Sequence, residues 1–324
     1  MAYSLNFEEP VTDGVIRIAR EQIRAAIDVI DDSSADPDEA IHDVRRHCKL
    51  LRALVRLVRP SFPGYRAENV WFRDIGRSLS LTRDAKATIE AMDSLTGRFH
   101  GIIHARALAP IRDRLEERRQ ELHAGQKLPF LLGAARRDLE VAHRRCGDWR
   151  FTAEGFEAVA GGLEKTYRRA RRRMYDSRRD TSTLNLHQWR KRTKYHRYHL
   201  KLLRQLWGPV LNTLEKEAHA LTDYLGDDHD LAVLSSILLD EPARFGHPQM
   251  LRPLFGLIRW RRAELQKAAF PQGARLFSTP PGRCIRWFSD LWEARAAELA
   301  PRPPQRTMQR EPAKPSRQTA HGRS

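Results

Sequence analysis

The chain has 324 residues and carries 58 Lys and Arg against 41 Asp and Glu, a formal net charge of +17. This length suffices for one large or two medium-sized domains, and the charge favours an anionic partner such as nucleic acid, a phosphate polymer or an acidic membrane surface. No run approaches the roughly 18 apolar residues of a transmembrane helix, so we expect no membrane insertion. Three widely spaced cysteines without a CxxC or zinc pattern, and an N-terminus without a signal-peptide pattern, favour a cytoplasmic location.

Apolar residues recur at helical spacing along most of the chain, and alternating strand patterns are absent, so we predict an all-α fold. Asp36 and Pro37 supply the cap and first turn of the second helix, and Pro60 ends it. Gly208 and Pro209 likewise mark the end of the seventh helix. The predicted helices cover residues 11–30, 37–59, 68–92 with a break near 76–80, 102–123, 130–146, 152–174, 186–207, 210–225, 231–239, 251–269 and 283–299.

A row of basic side chains lies within a segment that has no Asp or Glu from Thr181 to Leu214. Its members stand at offsets 0, 3, 7, 10 and 14, which places them within about 80° of one helix face over about 21 Å. We call the following residues the second basic row: His187, Arg190, Lys194, Arg197 and Lys201.

The same order of residue types occurs 145 positions earlier, and the relation continues downstream, where Arg83-Asp84 matches His229-Asp230 at an offset of 146. This recurrence predicts two copies of one helical unit, at about residues 10–147 and 150–299. We call the following residues the first basic row: His42, Arg45, Lys49, Arg52 and Arg56.

A basic helix face is often merely solvated, but such a face normally mixes charges because like charges repel at this spacing. Two rows that repeat like charges in the same order are better explained by a bound anion. Arg, Lys and His all suit phosphate oxygens, and a row of about 21 Å is too long for a single phosphate. In the arginine-rich segment 168–173, Arg168 and Arg172 share one helix face and are further candidates.

Alternative chemistries remain open. His229-Asp230, with Asp227, Asp228 and His219 nearby in sequence, would suit a metal-dependent phosphohydrolase, although Asp230 could equally orient a neighbouring Arg or Lys or cap a helix. No GxSxG motif, Walker-type loop or catalytic cysteine context occurs, so we expect no enzyme, no catalytic residue and no cofactor. Four aromatic residues interleave with the basic ones and belong either to the core or to a base-stacking surface: Tyr167, Trp189, Tyr195 and Tyr198.

The two rows, together with Arg83-Asp84 and the segment from Leu225 to Asp230, resemble the paired signatures of the CHAD domain, the conserved histidine α-helical domain. The resemblance implies an all-α bundle of two pseudo-symmetric halves, of about five to six helices each, around a central basic cavity. It also implies non-catalytic binding of inorganic polyphosphate. The expected polyphosphate-binding residues are both basic rows with Arg83, Arg168, Arg172 and Lys191.

Three positions depart from the pattern of that family. Leu50 and Tyr195 stand where many copies have a second basic residue, and His229 stands where the first half has Arg83. The strand motif of a triphosphate-tunnel domain is missing, so the chain is similar to the CHAD module alone.

We therefore expect one domain over residues 1–300, followed by a disordered basic tail, rich in proline, over 301–324. The expected partner is inorganic polyphosphate, with other polyanions as further candidates, in the cytoplasm with or without association with polyphosphate granules. Nucleic-acid binding is the alternative function, followed by a metal-dependent phosphohydrolase.

Overall fold

A computed structural model describes residues 3–34, 36–101, 105–124, 128–249 and 251–300, without the side chains of 81–84, 105–107 and 123. The described residues form α-helices and no strand, which confirms the all-α prediction. The predicted C-terminal tail, 301–324, lies outside the described residues. The helices are α1 (Val11–Asp31), α2 (Pro37–Leu57), α3 (Tyr65–Ser78), α4 (Ser80–Arg98), α5 (Ala105–Ala124), α6 (Leu128–Arg145), α7 (Gly155–Arg179), α8 (Thr183–Leu202), α9 (Gly208–Asp240), α10 (Pro242–Phe245), α11 (Arg252–Leu276) and α12 (Pro281–Leu299).

One predicted helix boundary is wrong. Gly208 and Pro209 do not end α8 but begin α9, and α8 already ends at Leu202, before a short 3-10 turn at Arg204–Leu206. Proline suits both situations, because the first helical position has an N–H group without an intrahelical partner, and proline lacks that group. The predicted interruption of α9 near residue 226 is also wrong, since α9 runs unbroken through Gly226.

The hydrophobic core consists of two clusters of buried side chains. The larger cluster joins α1, α2, α3, α6, α7, α8 and α12 with the first half of α9 and the last part of α11. The smaller cluster joins α4, α5, α10 and α11 with the second half of α9. Each cluster includes residues from both predicted repeats, and α9 connects the two. The domain bounds and the two pseudo-symmetric halves stay predictions.

Helix α8, which carries the second basic row, is enclosed by packing on several sides. Trp189 is fully buried and lies directly against Gly273 of α11, where no side chain would fit. His199 is fully buried, and its Nε2 lies 3.0 Å from the carbonyl oxygen of Ala53 in α2. His196 packs against the ring of Tyr167 at 5.2 Å. These contacts fix the rotation of α8 about its axis and thereby decide which side chains are free to face a ligand.

In the portion of the chain that the structure describes, no helix combines the length and the apolar composition needed to cross a bilayer.

Candidate anion-binding pocket

A pocket of about 480 Å³ opens between α2, α4, α8 and α9. Its wall combines basic, aromatic and small side chains, with few acidic ones. The lining residues are His42, Arg45, Lys49, Arg52, Ala87, Thr88, His187, Arg190, Lys191, Lys194, Tyr195, Tyr198, His229, Asp230 and Val233.

The first turns of both basic rows meet in this pocket. His42, Arg45, Lys49 and Arg52 enter from α2, and His187, Arg190, Lys191 and Lys194 enter from α8. The two sets are 145 residues apart in sequence. The packing of α2 against α8 therefore brings into one wall the residues that the sequence repeat had related only by pattern.

The later residues of both rows do not line the pocket. Arg56 is buried, donates from Nη1 to the hydroxyl oxygen of Tyr65 at 2.7 Å, and stacks over the ring of Tyr195 at 4.4 Å. Arg197 forms an ion pair with Glu215 at 2.6 Å. Each of these arginines already has a partner within the protein.

Four further candidates lie away from the pocket or outside the described side chains. Lys201 lies near the end of α8, beyond the pocket-lining residues. Arg168 is exposed and pairs with Glu164 at 3.2 Å, and Arg172 is exposed as well. The side chain of Arg83 is outside the described ones.

Several pocket residues were not among the predicted ligands. Tyr195 and Tyr198 contribute aromatic wall, and His229 and Asp230 enter from α9. The His-Asp dipeptide was a visible signal for this part of the wall. Ala87, Thr88 and Val233 carried no comparable signal, because small and apolar residues at helical spacing are common in any core.

The pocket concentrates positive charge with little internal compensation. Burial, together with Arg190, Lys49 and Arg197, lowers the pKa of Lys194 to about 7. Burial also lowers the pKa of Lys191, and Arg52 adds to that effect. Among the described residues, no Asp or Glu forms an ion pair with Arg190, Lys191 or Lys194. A bound anion would relieve this repulsion and restore the charge of Lys194.

Two imidazole rings form the end of the pocket at α8 and α9. The ring centroids of His187 and His229 are 4.3 Å apart. Burial, then the neighbouring cations, lower the pKa of His187 to about 4, and the pKa of His229 is lowered for the same reasons. The Nδ1 atoms of both rings are buried and meet no hydrogen-bond partner among the described residues. The lowered pKa values favour the neutral rings, and a neutral ring can donate one hydrogen bond to an anion from whichever nitrogen carries its proton.

Arg190 is held against the backbone of α9 rather than beside a carboxylate. A Cβ atom placed on Gly226 would lie 2.8 Å from an Nη atom of Arg190 and 3.2 Å from its Cζ. The glycine thus leaves the space that the guanidinium group occupies. The adjacent Asp228 is not a free ligand: it is 1% exposed and accepts hydrogen bonds from Arg262 at 3.0 and 3.2 Å and from Gln266 at 2.8 Å.

A metal-dependent phosphohydrolase, the alternative from the sequence, would need a cluster of metal ligands in the pocket. Over the described residues, no three His, Cys, Asp or Glu side chains are grouped so that they could hold a metal ion. Asp228, one of the oxygen donors considered from the sequence, joins α9 to α11 through Arg262 instead. This contact gives Asp228 a structural role.

The helices and the pocket together define the chain as an all-α protein with a cation-lined pocket between helices. The family model of the CHAD domain matches residues 15–239, and the chain belongs to the CHAD domain family. Among solved structures, the crystal structure of the CHAD domain from the plant Ricinus communis is similar, with a TM-score of 0.51 and 15% sequence identity over 86% of this chain and 94% of that chain. This likeness supports the fold. The search of curated proteins found no match.

Proposed function

We propose that the chain binds inorganic polyphosphate in the pocket between α2, α4, α8 and α9, without a catalytic step. The observation that carries the proposal is the convergence of eight basic or imidazole side chains from α2 and α8 on one wall. Polyphosphate has one negative charge or more on each phosphate, so a short stretch of it can contact many cations at once. Arginine and lysine bind such oxygens through charge-assisted hydrogen bonds.

The shape of the site favours a thin, flexible polyanion over a nucleic-acid duplex. The pocket is a concave space of about 480 Å³ whose cations point into it from two facing helices. A rigid duplex presents its phosphates on the outside of a wide cylinder, whose major groove alone is about 12 Å across. Only a narrow chain can bring successive phosphates to Lys49 and Lys194 inside the pocket. The proposal includes a cytoplasmic location in contact with polyphosphate, either free or in granules.

The test is a direct comparison of long-chain polyphosphate, duplex DNA and single-stranded RNA across a salt series. We expect polyphosphate to bind most tightly at matched salt, with log K falling linearly with log salt because counterions are released. Arg45→Ala and Arg190→Ala should each weaken binding by about 1–3 kcal/mol and reduce the salt slope by about one unit. Arg310→Ala, in the C-terminal segment, is the matched control and should change neither quantity appreciably.

Two outcomes would contradict the proposal. Equal affinity for polyphosphate and duplex DNA would favour the nucleic-acid alternative, since a pocket site discriminates by shape. An equal effect of Arg310→Ala and Arg190→Ala would mean that binding is diffuse surface attraction.

The non-catalytic part of the proposal has its own test. We expect no phosphate release from polyphosphate or nucleoside triphosphates above background with Mg²⁺ or Mn²⁺. Turnover that His229→Ala abolishes would instead support the phosphohydrolase.

A further inference from the structure

Helix α7 carries a row of basic residues that the pocket does not use. Lys165, Arg169 and Arg173 are four residues apart, so they lie along one face of the helix. Lys165 and Arg169 are exposed, while Thr166 and Ala170 beside them are buried. The row therefore follows the edge of the face with which α7 packs onto the rest of the protein. We call Lys165, Arg169 and Arg173 the α7 row.

Helix α7 approaches the end of α2 closely enough to bring a further arginine to this row. At Gly162 a Cβ atom would collide with the carbonyl group of Leu57, so only glycine permits this approach. Arg59, just beyond α2, donates from Nη2 to the carbonyl oxygen of Gly162 at 3.0 Å and to Oγ1 of Thr166 at 3.1 Å. These bonds fix the guanidinium of Arg59 beside the α7 row.

The α7 row is connected to the pocket by two arginines at the junction of α2 and α8. Arg56 stacks over the ring of Tyr195, which lines the pocket. Arg192 follows the pocket residue Lys191 on α8, the helix against which α7 packs. A line of cations thus leads from Lys191 through Arg56 and Arg192 to Arg59 and the α7 row.

The charges of these cations lower one another's pKa values, as expected for groups that lie close together. Burial lowers the pKa of Arg192, and the charges of Arg169 and Arg56 lower it further. The charge of Arg59, then burial and the charge of Arg169, lower the pKa of Lys165. These groups are therefore close enough to repel one another.

Few carboxylates compensate this line of cations. Asp176 pairs with Arg173 at 3.2 Å, and Glu164 pairs with Arg168 on another side of α7. Across the described ranges of the chain, the ion pairs formed by Asp and Glu do not include Arg59, Lys165, Arg169 or Arg192. Like charges this close together repel one another, so this surface favours binding of an extended anion that neutralises them.

We propose that the pocket is one end of a longer polyphosphate-binding surface, which crosses the junction of α2 and α8 and continues along the α7 row. This inference rests on the proposed function and adds a chain-length preference to it. A chain short enough for the pocket contacts only the pocket cations. A longer chain leaves the pocket beside Lys191, which is exposed, passes Arg192, and gains contacts with Arg59, Arg169 and Lys165.

The experiment compares two probes, tripolyphosphate and long-chain polyphosphate, on matched charge-removal variants. The test variant is Lys165→Ala with Arg169→Ala. The control is Arg178→Ala with Arg179→Ala, which removes the same charge from exposed positions in the last turn of the same helix, away from the face of the α7 row. For the test variant we expect long-chain affinity to fall about tenfold or more and the salt slope to fall by about two units, because two phosphate contacts are lost. Tripolyphosphate affinity should change less than about twofold.

Arg190→Ala separates this inference from the proposed function, because it should weaken the binding of both probes. If the test variant and the control bind long chains equally well, the extended surface is overturned while pocket binding stands. If the test variant loses both probes equally at an unchanged melting temperature, the α7 row does not sense chain length, and the inference also fails. If the unmodified protein binds neither probe, the proposed function itself fails.

Discussion

The guanidinium group of Arg190 lies over the backbone of α9 at Gly226, at a distance that a single added methyl group would not permit. The contact joins two sequence motifs that lie on different helices, Arg190 on α8 and Gly226 on α9. Arg190 belongs to the second basic row, and Gly226 lies inside a helix, where glycine ordinarily costs stability. The glycine makes room for a pocket cation, so its presence in α9 has a direct consequence for the site.

We therefore predict that Gly226→Ala weakens polyphosphate binding without destabilising the fold. The methyl group should displace the guanidinium of Arg190, which is the free end of a flexible side chain, and reduce affinity by about 1–3 kcal/mol, or roughly tenfold. The free energy of unfolding should change by less than about 1 kcal/mol, because alanine gains about that much in helix propensity over glycine. Calorimetric titration and urea denaturation measure the two effects.

Gly256→Ala is the matched control, since a Cβ atom at Gly256 in α11 meets nothing within 4 Å. It should increase stability slightly and leave affinity unchanged. If Gly226→Ala behaved like Gly256→Ala in both measurements, Arg190 would not be a ligand in the conformation described here.

Binding should also depend on pH through Lys194. Its amine has a pKa of about 7 because it is buried among Arg190, Lys49 and Arg197, with Asp223 acting in the opposite direction. An anion raises that pKa, so binding above pH 7 takes up a proton, and affinity should fall by up to about tenfold per pH unit as the pH rises above 7. Calorimetry in buffers of different ionisation enthalpy measures the proton uptake. Lys194→Met should abolish the uptake in this range.

The same residue should make stability depend on pH in the opposite direction. Below about pH 7 Lys194 is charged in both the folded and the unfolded chain, and the folded state bears the full cost of that buried charge. Between about pH 7 and pH 10 the folded state loses the proton first, so the cost disappears. Lys194→Met should raise the free energy of unfolding by about 1–3 kcal/mol at pH 6, and the gain should vanish near pH 10. A gain that is constant with pH would show that Lys194 is not buried as a cation.

Much of the fold followed from local sequence patterns, and the errors have local causes. The break between α3 and α4 was predicted near residues 76–80, and the helices meet at Ser78 and Ser80. The glycine-proline pair at 208–209 was assigned to the end of one helix but begins the next, because proline is compatible with a helix start as well as a stop. Gly226 predicted an interruption of α9. The helix is continuous there, and the hydrogen bond from Arg262 of α11 to Asp228 stabilises this turn.

The sequence predicts the site residues whose types recur in both repeats. It does not predict which of them packing turns away from the pocket. The repeat identified the residues from His42 to Arg52 and from His187 to Lys194, which line the pocket. It could not show that Arg56 turns towards Tyr65 or that Arg197 pairs with Glu215, because those partners lie on other helices. Helical periodicity alone makes all five residues of each row equally good candidates, whereas only the first residues of each row line the pocket.

The contact of Asp228 with Arg262 leads to the last prediction. Asp228 is almost completely buried, and Arg262 together with Gln266 satisfies its carboxylate. Asp228→Asn removes the charge but keeps the shape, and leaves Arg262 without its counter-ion in a half-buried position. We expect the free energy of unfolding to fall by about 3 kcal/mol, since breaking a buried ion pair is strongly destabilising. Thermal and urea denaturation measure this loss.

Asp93→Asn provides the comparison, because Asp93 pairs with Arg112 at 2.7 Å in a contact where both side chains are about half exposed. That variant should lose less than about 1 kcal/mol, as exposed ion pairs contribute little. Polyphosphate affinity of folded Asp228→Asn should remain within about threefold of the unmodified protein, since Arg190 and the cations of α2 are unchanged. A variant that instead kept its stability and lost a metal-dependent phosphatase activity would assign Asp228 to a catalytic metal and overturn its structural role.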